Sequence, residues 1–158
     1  MNILPNTLKF TLVICCLMYS TNLVLAQAKN AIGLGLGLNH SKENNNSGGV
    51  MQGEIKLARS ISLTPSIGVE EPYIIYAGIA GRYYFTPFLY GSLGGCTYHN
   101  VDYGGSGGTG GIGFVLLSGH RQIFDINIHA DYLNNYNEYS PIFGIRLIYS
   151  FSFNKLYR

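Results

Sequence analysis

Between Pro141 and Phe153 every second residue is apolar: Phe143, Ile145, Leu147, Tyr149, Phe151 and Phe153. The residues between them include Gly144, Arg146, Ser150 and Ser152, with Ile148 the one apolar exception. Successive side chains of a strand point to opposite faces, so this pattern predicts a strand with one apolar and one mostly polar side. Seven more stretches read as strands. Ala31 to Asn39 sets Ile32, Leu34, Leu36 and Leu38 against Gly33, Gly35, Gly37 and Asn39, and Val50 to Ala58 sets Met51, Ile55 and Leu57 against Gln52, Glu54, Lys56 and Ala58. Ile61 to Glu70 follows, with Pro65 counting against it because proline removes a ladder donor from a strand paired on both sides. Tyr73 to Phe85 has Ile75 on its apolar parity and Arg82 on the other. Phe88 to Tyr98 is clean on neither parity, and Gly111 to Leu117 is short. Gln122 to Leu133 alternates Phe124, Ile126, Ile128, Ala130 and Tyr132 with Asp125, Asn127, His129 and Asp131.

The connections alternate in length. Segments 40–49, 99–110 and 134–140 are long and rich in Asn or Gly, whereas Arg59-Ser60, Thr86-Pro87 and Ser118 to Arg121 are short, and only Glu71-Pro72 breaks the rhythm. Every charged residue within a predicted strand (Glu54, Lys56, Glu70, Arg82, Asp125, Asp131 and Arg146) falls opposite the aliphatic parity. A soluble sandwich also alternates, but its polar face is the wetted one and calls for more charge than the 11% of this chain. The predicted class is all-β: an eight-stranded antiparallel up-and-down barrel with its apolar parity outward.

The closing strand from Pro141 to Phe153, with aromatics gathered toward its end, resembles the terminal strand of bacterial outer-membrane β-barrels, and residues 29 to 153 as a whole resemble the small eight-stranded members of that group. The resemblance implies a wall spanning the outer membrane, with both termini on the periplasmic side. Leu34, Leu36, Ile55, Ile75, Phe124, Ile126, Ile128, Ile145 and Leu147 then face lipid. Glu54, Lys56, Glu70, Arg82, Asp125, His129, Asp131 and Arg146 form a polar network in the lumen. Implied partners are outer-membrane lipid and, during biogenesis, the barrel-assembly machinery. Members of the group commonly end on an aromatic residue, whereas here Asn154 to Arg158 follow Phe153. A secreted lipocalin-like barrel is the alternative architecture; its early Gly-x-Trp signature is impossible in a chain without Trp.

Residues 1–28 read as an export signal, with Lys9 ahead of an apolar core from Phe10 to Met18. Cleavage after Ala26 or after Ala28 satisfies the small-residue rule, leaving 29–158 as the barrel domain. Cys15 and Cys16 lie in the signal without the small residue a lipoprotein cleavage needs, so Cys96 is left without an intramolecular disulfide partner. A net charge of +2 gives no reason to expect nucleic acid.

Candidate chemistry is sparse. The tract from Gly104 to Gly113 contains two formal GxGxxG matches but lacks the strand-before, helix-after context of a dinucleotide site, and reads as a mobile loop entering a strand. His129 with Asp125 and Asp131 could form a base oriented by a carboxylate. Lipid A deacylases of similar size use a His/Ser pair on the outer surface, whereas His129 is on the inner parity without a neighbouring serine. The expected role of His129 is structural, hydrogen-bonded to a lumen carboxylate. His40, Glu43, His99 and Asp102 could meet at the outer mouth around a metal, though loop histidines at such spacing are usually solvated. No Walker motif, zinc spacing or nucleophile elbow is present, so no catalytic residue, metal or cofactor is assigned. Four inner acids against three inner bases favour mutual pairing, and the inner Tyr76, Tyr84 and Tyr90 are large enough to fill space left by Gly33, Gly35 and Gly37. The expected function is a plugged outer-membrane barrel with a structural or surface-interaction role and an unspecified loop partner. Alternatives are a minor pore for small solutes or a lipid A-modifying enzyme.

Overall fold

The computed structural model describes residues 28–42, 45–71, 73–100, 104–117, 121–135 and 138–153. The residues after Phe153, and all of the proposed export signal before Ala28, lie outside the described residues. Eight strands follow in order: β1 (Ala31–His40), β2 (Asn45–Lys56), β3 (Ile61–Glu70), β4 (Ile74–Tyr84), β5 (Leu89–His99), β6 (Gly104–Leu117), β7 (Gln122–Asn135) and β8 (Glu138–Ser152). Each pairs antiparallel with its neighbours in sequence, and β8 closes on β1. The wall is therefore a closed barrel without edges.

Its dimensions follow from the register. Tracing hydrogen-bonded partners from His40 through Phe143, Ala130, Gly110, Leu93, Gly81, Leu63 and Ile55 returns to β1 at the level of residue 30, a stagger of ten residues. With a strand spacing of about 4.8 Å and a rise of about 3.3 Å per residue, that stagger tilts the strands by about 40° and gives a backbone radius of about 8 Å. An interior of this width is just wide enough for side chains to fill or to hold one small ligand.

Burial follows the alternation along each strand. Leu34, Leu36, Ile55, Ile75, Ile128, Ile145 and Leu147 are exposed on the outside, and Phe124 and Ile126 are half-exposed there. Ile148, the exception on the polar parity, is fully buried in an inner apolar cluster with Val50, Ile74, Tyr76, Cys96, Tyr98 and Leu133. Pro65 is accommodated by an interrupted ladder: β3 pairs with β4 at Pro65 opposite Ile79, but the β2–β3 register runs from Gln52–Ser66 directly to Ile55–Leu63. Opposite it stands Gly53, where even an added Cβ would be in ordinary contact with the proline ring.

Three expectations are corrected. The segments 40–49, 99–110 and 134–140 are not long loops, because β2, β6, β7 and β8 extend into them and leave links at 41–44, 100–103 and 136–137. The length alternation is thus absent. The tract from Gly104 to Gly113 is strand, bonded to β5 on one side and, from Ser106 onward, to β7 on the other. Glycine carries no side-chain pattern, so its strand character comes from the two partners. Tyr73 belongs to the link before β4, where its φ of 69° is left-handed.

The start of β1, the end of β8 and links 57–60 and 85–88 lie at one end of the barrel, called the turn end, together with the end of β6 and the start of β7. The turn after β4 is held by Thr86, whose Oγ1 accepts the Leu89 N–H at 2.9 Å. At the opposite end lie Ser41, Lys42, Glu71, Tyr73 and Asn100, with the end of β7 and the start of β8.

Candidate functional site

The chemistry of this chain is inside the wall, arranged as two layers. Near the turn end, Arg82 Nη1 lies 2.7 Å from Asp125 Oδ2 and 3.7 Å from Glu54 Oε2. Tyr90 donates its hydroxyl to Asp125 Oδ1 at 2.7 Å and Tyr84 donates to Glu54 Oε1 at 2.6 Å. The Arg82 guanidinium lies 4.1 Å from the centre of the Tyr90 ring, a cation–π contact. Each carboxylate here accepts a hydrogen bond from tyrosine and faces a cation, which offsets the cost of its burial.

The second layer, toward the opposite end, repeats the design. Asp131 accepts from Tyr98 at 2.6 Å and from Thr109, and Arg146 Nη2 approaches it at 3.3 Å. Arg146 lies 4.4 Å from the centre of the Tyr76 ring. Glu70 accepts from Asn39 Nδ2 at 2.6 Å. Glycines make room for these groups: a Cβ at Gly113 would overlap the Tyr90 ring, and one at Gly144 would overlap Asn39 and His129.

The sequence-predicted residues divide as follows. Glu54, Arg82 and Asp125 meet in the first layer; Asp131 and Arg146 meet in the second, with Glu70 joined to Asn39. Lys56 shares their parity but is exposed at the turn end, because the strand stops there. His129 is buried, yet neither ring nitrogen has a hydrogen-bond partner, and its Nε2 is 3.7 Å from Asp131 Oδ2. The expected histidine–carboxylate hydrogen bond is absent because Tyr98, Thr109 and Arg146 already occupy the Asp131 oxygens. Asp125 is committed to the other layer, so the three residues form no base-and-orienter set.

Of the suggested metal group, the described members do not come together. Glu43 and Asp102 lie outside the described residues, and His40 and His99 point outward from β1 and β5, four strands apart in a ring of eight. His40 Nδ1 instead pairs with Asn45 Oδ1 at 2.6 Å. Among the described residues no group of three or more His, Cys, Asp or Glu is placed to hold a metal ion.

Tyr98 and Lys29 are among the participants not singled out from the sequence, as are Thr109 and Asn39. Tyr98 sits in β5, whose mixed parity concealed which face it occupies. Lys29 precedes β1 and is 4% exposed, its ammonium 5.8 Å from the Tyr84 ring centre. Continuing the inner parity of β1 back from Asn39 through Ala31 reaches Lys29, and that is the signal that could have found it.

A closed antiparallel wall of eight strands, apolar outside and ion-paired inside, is the architecture of small transmembrane β-barrels. Solved structures with this fold include OprG, an outer membrane protein of Pseudomonas aeruginosa (8% identity, 83% of this chain and 98% of that one, TM-score 0.59). Ail, the attachment invasion locus protein of Yersinia pestis, solved in complex with the heparin analogue sucrose octasulfate, is similar at 12% identity (80% and 99% coverage, TM-score 0.58). So is the N-terminal β-barrel domain of Pseudomonas aeruginosa OprF, at 16% identity (79% and 100% coverage, TM-score 0.53). At these identities the likeness is one of fold. No protein-family model matches the chain, and no curated protein matches its sequence.

Proposed function

We propose that the chain is an integral protein of a bacterial outer membrane, plugged along its axis, with a structural or surface-interaction role. The observation that carries this reading is the sorting of side chains across one closed wall. Large apolar residues such as Leu34, Ile75, Ile128 and Leu147 are exposed all round the outside, while Glu54, Arg82, Asp125, Asp131 and Arg146 are buried within. In water such an exterior would be a large aggregation surface, and in lipid it is solvated. The fold shared with OprG, Ail and OprF supports the same compartment.

The plug reading rests on pairing. An open pore needs an unfilled axis, whereas here both layers span the lumen with Arg–carboxylate contacts and tyrosine rings. A surface role would fall to the end carrying links 41–44, 71–73, 100–103 and 136–137. There Thr97, His99 and Ser106 present polar side chains outward from β5 and β6. Among the described residues, this strand-built polar face is the contact surface we favour.

Cell fractionation with a heat-modifiability gel tests the reading. The protein should sediment with the outer membrane and migrate faster unheated than boiled; recovery in a soluble fraction would overturn it. In planar bilayers the purified protein should give no sustained conductance. Reproducible single-channel steps, absent from a misfolded control, would show that the lumen is open.

A further inference from the structure

We propose that the turn end of the barrel is a binding surface for anionic phospholipid headgroups, with Lys56, Arg59 and Arg121 as its contacts. The proposal rests on the reading of the chain as a membrane barrel, and adds which lipid chemistry it meets and at which end.

Charge is sorted along the barrel axis as well as across the wall. Among the described residues, the exposed charged side chains are Lys42 and Glu71 at the opposite end and Lys56, Arg59 and Arg121 at the turn end. The first pair cancels. The turn end carries three exposed cations and, among the described residues, no exposed carboxylate, because the acids on that side, Glu54 and Asp125, are buried against Arg82. None of the three exposed cations has an ion-pair partner among the described residues.

Their height decides what they meet. Allowing for the stagger of the strands, Lys56 lies at the same level along the axis as Phe85, Phe88 and Phe151, which are 46–55% exposed. Arg121 lies at nearly that level too, with its guanidinium 5.8 Å from the centre of the Phe151 ring. Exposed aromatic rings gather where hydrocarbon gives way to headgroups. A basic side chain at that level rests its stem on apolar wall and turns its charge toward phosphate oxygens.

Spacing decides between one ligand and a surface. Arg59, between β2 and β3, and Arg121, between β6 and β7, are four strands apart in a ring of eight. The barrel they straddle is about 16 Å across its backbone, twice the roughly 8 Å over which charges act in physiological salt. They do not close on a single phosphate. They suit separate headgroups in a ring of lipids, where each basic side chain near an anionic bilayer surface adds roughly fivefold to affinity.

The test uses the full chain expressed in a Gram-negative host, extracted from its envelope and reconstituted in phosphatidylcholine bilayers with a trace of spin-labelled lipid. Electron spin resonance reads the fraction of label immobilised at the protein surface, once for phosphatidylglycerol and once for phosphatidylcholine. The unmodified protein should select phosphatidylglycerol by at least about twofold, the effect of the turn end being averaged over the whole lipid shell. In 1 M salt, where screening acts within about 3 Å, the selectivity should fall to near one. Combined Lys56→Gln, Arg59→Gln and Arg121→Gln should abolish it, Arg121→Gln alone should lower it, and Lys42→Gln should leave it unchanged. Equal immobilisation of the two lipids by the unmodified protein would overturn the proposal. So would a preference that survives the triple substitution, or, should that variant not fold, one that survives Arg121→Gln; so too would a preference that disappears with Lys42→Gln. Co-sedimentation with purified peptidoglycan that depends on the three cations, without any lipid preference, would assign them to the cell-wall polymer instead. Failure of the membrane reading looks different: no heat-modifiable folded band would form in any bilayer, and both readings would fall together.

Discussion

Arg82 touches Asp125, Glu54 and the face of Tyr90 at once, so it is the residue whose loss leaves most unbalanced. Arg82→Ala would strand two buried carboxylates with only Lys29 nearby. Breaking a buried pair from one side typically costs about 3–5 kcal/mol, and a urea titration of the detergent-refolded protein should show a loss of that order. Lys56→Ala, at an exposed position, should stay within about 0.5 kcal/mol. On the outer face, Ile126→Arg places a charge midway along the apolar parity of β7 and should cost about 2–4 kcal/mol in a bilayer, against about 0–1 for Ser106→Arg toward the far end of β6. Equal effects would mean that the outer face is not in lipid. The neighbouring Asn127 is no neutral control, because its side chain is buried on the inner parity of β7. At this scale the sequence was informative about which side of the wall each charge occupies, since parity alone decides that. It was silent on pairing: Asp125 and Asp131 look equivalent along β7, yet they serve different arginines because partners arrive from β4 and β8 through the barrel's stagger.

At the scale of elements, legibility tracked side-chain size. β1, β7 and β8 alternate large apolar residues with polar or small ones and were readable almost to their ends. β5 was ambiguous because its outward set, Leu89, Gly91, Leu93, Gly95 and Thr97, is half glycine or polar. β6 was read as loop over its first seven residues, where glycine dominates and no alternation can be seen. Those residues are the most direct test of the register. Amide hydrogen exchange in detergent micelles should show Gly107, Gly110 and Gly111, bonded between β5 and β7, protected to within about tenfold of Ile128 and His129 on β7. Exchange at rates typical of a free loop would contradict the pairing. β3 offers the converse case, since Pro65 argued against a strand that exists. The proline is tolerated by skipping ladder positions on one side only, a local arrangement that composition cannot reveal.

For the whole molecule, class and strand count followed from alternation plus the placement of charge, while the reach of the strands beyond the apolar belt did not. What the sequence showed as three long polar segments is mostly strand, because Asn, Ser and Gly pair through their backbones as readily as apolar residues do. The strands at both ends of the barrel are consequently separated in sequence by only two to four residues, and the two ends differ in which side of the membrane they are expected to meet. An epitope tag inserted at residues 41–42 should be reached by antibody on intact cells, and one at Arg59-Ser60 only after permeabilisation. The reverse pattern would invert the orientation.

The bond from Phe153 N–H to the Asn30 carbonyl joins the residue just before β1 to the residue just after β8, on adjacent strands. A ring of strands joined in this way has no preferred starting point. Residues 29 and 153 could be bridged by a short flexible linker and the chain reopened within 118–121 without altering a single strand pairing. In such a circular permutant β7 would come first and β6 last, with both new termini still at the turn end. It would then be possible to ask whether assembly of the wall depends on Pro141 to Phe153 being the last strand made, or only on its being present.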